Sequence, residues 1–173
     1  MNQYPPQIFK HKAWTPRELE RLSNLSPVAI RDLRRRGLAP ESEGGKLNLE
    51  AVAQILLLSE LSAHGFGPKR ITGIAKSYAD VVRQYALSQR SSWVDETSHE
   101  AWSKSPLSKH SSPRYLLISA SNGDAIALND LSEVPINAEA IVSLVNLELL
   151  GKRMGEHLAD RPSSLAEAGG KIS

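Results

Sequence analysis

Residues 14–40 read WTPRELERLSNLSPVAIRDLRRRGLAP, and this stretch decides the fold of the N-terminal half. The TPRE that begins at Thr15 predicts a helix start, because Thr15 is placed to be the N-cap and Glu18 completes a capping box with it, while the proline between them is tolerated at the first helical position. A second start follows at Ser26, and Gly37 is a typical helix stop. The stretch therefore predicts two short helices joined by about three residues, a helix-turn-helix.

The second predicted helix, residues 27–36, has two chemically different faces. At 100° per residue, Arg31, Arg34 and Arg35 share one face, whereas Ile30 lies on the opposite, apolar face. The planar fork of an arginine matches phosphate oxygens and the edge of guanine, and a helix fits the major groove. The pattern predicts a DNA-reading helix; the alternative is a solvated basic face on a structural helix.

Two further elements complete the predicted DNA-binding region. Short extended arms around the Gly-Gly at 44–45 predict a β-hairpin wing, with Lys46 near the DNA backbone. From Leu49 to about Ala63 a helix is expected that is apolar around more than half of its surface and therefore needs cover on two sides. Gly65, followed by a phenylalanine, is expected to end it.

The next predicted helix, residues 68–85, carries an apolar seam with a 3–4–3–4 spacing. Such a seam of about two heptads suits a partner helix, which predicts a homodimer; the alternative is packing on the same chain. The predicted dimerisation residues are Ile71, Ile74, Tyr78, Val81 and Tyr85.

The formal net charge of +2 hides a gradient along the chain. Counted by segment, the balance is +4 over residues 1–46, +2 over 47–90 and −4 over 91–173. The basic end is where a polyanion such as double-stranded DNA binds. Nine serines between Ala86 and Pro113 are typical of a linker, from which independent movement of the two halves is expected.

The last part of the chain predicts a small α/β unit. Strands are expected at 115–119 and 125–128 around an Asn-Gly turn, with a third near 140–145. A final helix is expected to have one apolar face, formed by Leu147, Leu150, Met154 and Leu158. A unit of about 45 ordered residues has only a marginal core unless it packs on the other half of the chain or on a second subunit. We expect this unit to bind a protein or effector partner.

The predicted organisation is a flexible N-terminus (1–13), a DNA-binding and dimerisation region (14–90), a linker (91–113), a small C-terminal domain (114–160) and a disordered tail (161–173).

Composition argues against several other classes of protein. The chain has no cysteine, which removes disulfides and thiolate chemistry, and no two of its five histidines share a helical turn. No nucleophile motif such as GxSxG is present. We therefore expect neither an enzyme nor a cofactor nor a metal site. No apolar run predicts a membrane span or a signal peptide, which favours the cytoplasm.

The stretch from Trp14 to about Ile74 resembles the winged-helix DNA-binding domain of the MerR-type transcriptional regulators. The motifs that carry the resemblance are LS-V-IR from Leu25, RGLAP from Arg36 and HGFGPKRI from His64. The resemblance implies that Arg31 contacts DNA, that the wing contacts phosphate and that the long helix after it forms a dimer. The cysteines of the metal-sensing branches are absent here.

These observations predict an α+β fold: an N-terminal winged helix-turn-helix with a dimerisation helix, and a small C-terminal β-hairpin and helix. The predicted function is a sequence-specific transcriptional regulator that binds an inverted repeat as a homodimer. The alternative is an architectural or phage-type DNA-binding protein that acts in recombination, packaging or segregation. The predicted DNA-binding residues are Thr15, Arg17, Ser26, Pro27, Val28, Arg31, Arg34, Arg35 and Lys46.

Overall fold

The computed structural model shows a mixed α+β fold, which confirms the predicted class. The described residues are 10–11, 14–41, 47–88, 93–95, 101–102, 112–119, 124–135 and 141–159. Their helices are α1 (Pro16–Ser23), α2 (Pro27–Arg35), α3 (Leu49–Ala63), α4 (Pro68–Ser88) and α5 (Leu147–Ala159). Their strands are β1 (Lys10–His11), β2 (Trp93–Asp95), β3 (Ala101–Trp102), β4 (Tyr115–Ser119), β5 (Ala125–Leu128) and β6 (Ile141–Asn146).

The first two helices begin at the predicted caps. Thr15 accepts a hydrogen bond from the Glu18 backbone N–H through its hydroxyl, while the Glu18 carboxylate accepts from the Thr15 N–H at 2.8 Å, which completes the capping box. The Ser26 hydroxyl accepts from the Ala29 N–H at the start of α2. Between the helices lies a three-residue turn that begins at Asn24, in the left-handed region with φ of 57°.

Helices α2 and α3 both end in Schellman motifs at the predicted glycines. The N–H of Gly37 donates to the carbonyl of Arg34, and that of Leu38 donates to Leu33, both at 2.8 Å. At the end of α3, Gly65 has φ of 84°, and the buried Phe66 donates its N–H to Leu61. A left-handed residue is required in each motif, and glycine adopts that conformation without the strain caused by a side chain.

One apolar core runs through both halves of the chain. Helix α3 is buried around most of its surface, and α4 packs against it on one side and against α5 on another. The four residues predicted for the inner face of α5 are all buried, as are Leu116 and Ile118 of β4. The expectation that the halves move independently is therefore wrong, because α5 and β4 supply part of the core of the N-terminal helices.

Helix α5 crosses α4 at very close range. A Cβ placed on Gly151 would lie 2.3 Å from the Cβ of Tyr85 and 2.7 Å from the carbonyl oxygen of Val82. The hydroxyl of Tyr85 donates to the carbonyl of Ser112 at 3.0 Å, which ties α4 to the segment that leads into β4. The serine-rich stretch thus meets α4 just before the C-terminal sheet begins.

The C-terminal sheet has the strand order β5-β4-β6 and is antiparallel throughout. All three strands lie close to their predicted positions, whereas Asn122 and Gly123 of the predicted turn lie outside the described residues. Leu117 pairs with Ile126 on one side and with Leu144 on the other.

A second, very small sheet was not predicted. It has the order β1-β2-β3, with β1 parallel to β2 and β2 antiparallel to β3. Its strands come from the expected flexible N-terminus and from the expected linker. The polar composition of these segments hid the short runs around Trp93 and Trp102, although tryptophan and valine favour strands.

The predicted wing is only partly described. Residues 42–46 lie outside the described residues, and with them Lys46 and the Gly-Gly turn. Where described, the two arms of the predicted hairpin are not paired with each other: Leu47 instead forms an antiparallel bridge with Trp14, whose N–H donates to the Leu47 carbonyl at 3.3 Å. The described residues on either side of the turn therefore do not confirm the predicted hairpin.

Candidate nucleic-acid interface

Helix α2 presents a basic ridge to solvent. Val28, Arg31 and Arg35 are spaced i, i+3 and i+7, so they lie along one face, and all three are exposed. Ile30, on the opposite face, is buried against the core. The cap at Ser26 and the Schellman motif at Gly37 fix where this helix begins and ends.

Val28 is the exposed apolar side chain on this ridge, with 62% of its surface accessible. A single exposed aliphatic side chain is common on protein surfaces, but this one lies on the same helix face as the basic groups of the ridge, where it is available for an apolar contact. In the major groove, the methyl group of thymine offers that apolar contact beside the guanine edge that an arginine binds. The ridge therefore combines the two kinds of contact that direct base readout uses.

Arg35 is oriented by a neighbouring carboxylate that the sequence interpretation missed. Its Nη2 lies 2.8 Å from Oδ1 of Asp32, and Nη1 of Arg36 lies 3.5 Å from the other oxygen of Asp32. The i+3 and i+4 spacings in the sequence were the signal for these pairs. Both pairs are solvent-exposed and therefore weak, so a phosphate competes well for either guanidinium.

Arg34 differs from the two exposed arginines. It is half-buried, and burial lowers the pKa of its guanidinium. The group keeps its charge, because arginine stays protonated in proteins. Part of its side chain faces its own protein, so the structure brings Arg31 and Arg35 together at the surface and places Arg34 at the margin of the ridge.

The remaining predicted contacts divide into exposed groups and groups engaged in caps. Arg17 is exposed on α1, and Pro27 is half-buried at the start of α2. Thr15 and Ser26 are exposed, but each hydroxyl oxygen already accepts a backbone hydrogen bond at a helix start. These two residues orient the helices first, and any contact with a ligand uses what remains of their hydrogen-bonding capacity.

The predicted dimerisation residues do not form one exposed seam. Ile71 and Tyr85 are buried in the core of their own chain, which corrects the expectation that the stripe has no partner there. Ile74, Tyr78 and Val81 are half-buried and pack against the edge of that core. For Tyr85 the reason for the error is that α5, which packs on it, begins about 60 residues beyond the end of α4.

The described part of the chain contains no group of three or more potential metal-ligating side chains. None of its helices is both long enough and apolar enough to cross a lipid bilayer. Comparison of the whole sequence with protein-family models, with curated proteins and with solved structures gave no match.

Proposed function

We propose that this chain is a sequence-specific DNA-binding transcriptional regulator of the bacterial cytoplasm or nucleoid. In this proposal α1 and α2 act as a helix-turn-helix, and α2 enters the major groove with Arg31 and Arg35. The observation that carries the proposal is the exposed ridge of α2, in which two arginines flank one turn of a helix whose opposite face is buried. The balance of +4 over residues 1–46 draws DNA to this end of the chain.

The proposal includes a homodimer on an inverted repeat. The half-buried residues Ile74, Tyr78 and Val81 form the part of the α4 stripe that a second copy can still cover. A two-fold axis near this stripe relates the α2 ridge of one copy to that of the other. The two ridges then fit two DNA half-sites that lie one helical turn apart.

The test begins with selection of bound duplexes from a randomised DNA pool by the full chain. We expect enrichment of one sequence with two-fold symmetry and two chains bound per duplex, measured by sedimentation. Enrichment of a site without symmetry, bound by one chain, would contradict the dimer. Binding without any enrichment would favour the architectural DNA-binding protein instead.

The role of the ridge is tested with a double variant of the full chain, Arg31→Ala with Arg35→Ala. Each arginine that contacts a base or phosphate is worth about 1–3 kcal/mol, so the affinity for the selected duplex should fall about 30-fold or more. The matched control is Lys76→Ala with Lys152→Ala, which removes the same charge from exposed positions on α4 and α5. Equal losses in the two double variants would show that net charge alone governs binding and would reject α2 as the reader.

A further inference from the structure

A side chain of the C-terminal helix reaches the end of the first N-terminal helix. Arg153 of α5 donates a hydrogen bond from Nη2 to the carbonyl oxygen of Leu22 at 3.2 Å. Its other terminal nitrogen, Nη1, lies 3.9 Å from a carboxylate oxygen of Glu60 on α3. One guanidinium thus joins three helices, and 131 residues of sequence separate Arg153 from Leu22.

The carbonyl that Arg153 contacts belongs to the last turn of α1. The final carbonyls of a helix have no partner within the helix, and a cation is favoured at this end of the helix dipole. The next carbonyl, that of Ser23, accepts a short hydrogen bond from the hydroxyl of Ser59 on α3. Side chains from α5 and α3 therefore satisfy two successive carbonyls where α1 ends.

This point of contact lies directly before the turn that leads into α2. The buried Ser23 donates its hydroxyl to the carbonyl of Leu19 at 2.7 Å and accepts from the N–H of Leu25 at 3.2 Å. Only Asn24, Leu25 and Ser26 then separate the end of α1 from α2. A shift at the end of α1 therefore reaches the start of α2 through only these three residues, each of which makes a hydrogen bond.

We infer that Arg153 is a positioning residue that fixes the turn between α1 and α2 and so sets the direction of the arginine ridge. This inference rests on the proposed function and makes the C-terminal unit part of the DNA reader, although that unit carries the acidic half of the chain. The sequence interpretation assigned these tasks to separate halves. Arg153 is half-buried on α5 and acts through Leu22, without contact to DNA.

The test compares Arg153→Met with Lys152→Met in the full chain. Methionine keeps most of the aliphatic stem and removes the charged donor in both variants. Lys152 is the matched control, since it is the adjacent cation on the same helix but pairs with Glu148 within the C-terminal unit. Hydrogen exchange of the free protein is measured at the backbone amides of residues 25, 26 and 28–31, and affinity is measured on the duplex selected from the random pool.

We expect Arg153→Met to speed exchange in the turn and to weaken specific binding by about three- to tenfold, less than for a buried charged hydrogen bond because Arg153 is partly exposed. The slope of affinity against salt should stay unchanged, because a positioning residue releases no counterions; a direct phosphate contact would lower it by about one unit. Arg153→Lys, which retains a cationic donor, should restore most of the affinity. Lys152→Met should change neither exchange nor affinity.

Three results would overturn the inference: equal exchange in the two methionine variants, faster exchange with unchanged affinity, or a fall in the salt slope for Arg153→Met. Failure to select any duplex would instead overturn the proposed function. In that case the exchange comparison on the free protein still decides whether Arg153 holds the turn.

Discussion

The close crossing of α5 over α4 makes Gly151 the most sensitive position of the interface between the halves. Gly151→Ala would place a methyl group 2.3 Å from the Cβ of Tyr85, 2.7 Å from the Val82 carbonyl oxygen and 3.0 Å from the Ala86 nitrogen. Carbon atoms in contact prefer about 3.5–4.0 Å, so α5 must move away by roughly 1 Å or more. Two of the three obstructing atoms belong to the backbone, which cannot rotate aside.

The cost of this change follows from two opposing effects. Overpacking of a well-packed core typically costs about 1–3 kcal/mol, and here the separation of the two helices also loosens the buried side chains of α5. Alanine in place of glycine within a helix returns about 1 kcal/mol. Because the added methyl group would lie only 2.3 and 2.7 Å from its nearest neighbours, we take the overpacking cost at its upper end of about 3 kcal/mol and expect a net loss of about 2 kcal/mol in the free energy of unfolding.

Urea unfolding followed by circular dichroism measures this loss. With a urea slope of about 2 kcal/mol per molar, the unfolding midpoint should fall by about 1 M. Gly73→Ala on α4 is the matched control, because nothing lies within 4 Å of the added methyl group; the midpoint should rise by up to about 0.5 M. The reasoning fails if Gly151→Ala unfolds at the same or a higher urea concentration than the parent chain.

Three further outcomes are expected. Hydrogen bonds from Lys152 and Arg114 hold the pKa of Glu148 below its ordinary value. The stability that ionised Glu148 gives the folded chain is therefore present above about pH 4.3 and is lost as the pH falls through the lower pKa of the folded state. Unfolding curves of Glu148→Gln and of the parent chain should converge on acidification. Thr15→Ala should cost about 1 kcal/mol in urea unfolding, whereas Thr15→Ser keeps the capping hydroxyl and most of the stability. A chain that ends at residue 113 lacks α5 and exposes the buried face of α4, so it should bind a hydrophobic dye and lose its cooperative unfolding transition; a sharp transition without dye binding would show that the N-terminal half folds alone.

Local features of the fold were predictable from the sequence because they depend on residues within four positions of each other. The caps at Thr15 and Ser26 and the stops at Gly37 and Gly65 were all predicted, and the bounds of α3 agree with the structure. Each signal is a short-range requirement for a backbone hydrogen bond or a left-handed residue. The three C-terminal strands follow from their apolar runs in the same way.

Contacts between distant segments were not predictable from the same signals. The spacing of Ile71 and Tyr85 shows that α4 needs a partner helix, but a helical period does not tell whether that partner is a second chain or α5. A further signal was available in Ala86, which lies at the crossing with Gly151, since small residues allow two helices to approach closely. The order of strands around β4 is likewise a property of pairing across the fold.

In the candidate site, too, the local features were predictable and the contacts between distant segments were not. The helical angle correctly separated Arg31 and Arg35 from the buried Ile30. It did not place Arg34 at the margin, because burial there depends on the neighbouring parts of the fold. The role inferred for Arg153 had no local signal at all, since its partner Leu22 lies in another half of the chain.

The glycine at the helix crossing has a consequence for the order of events during synthesis. Each glycine within a helix costs about 1 kcal/mol relative to alanine, and an isolated helix of α5's 13 residues is marginal even with better helix formers. Helix α5 therefore forms only on the surface that α4 offers. Since ribosomes deliver about 5–20 residues per second, the nascent chain spends several seconds with that surface uncovered, and this interval is when a chaperone has the most apolar area to hold.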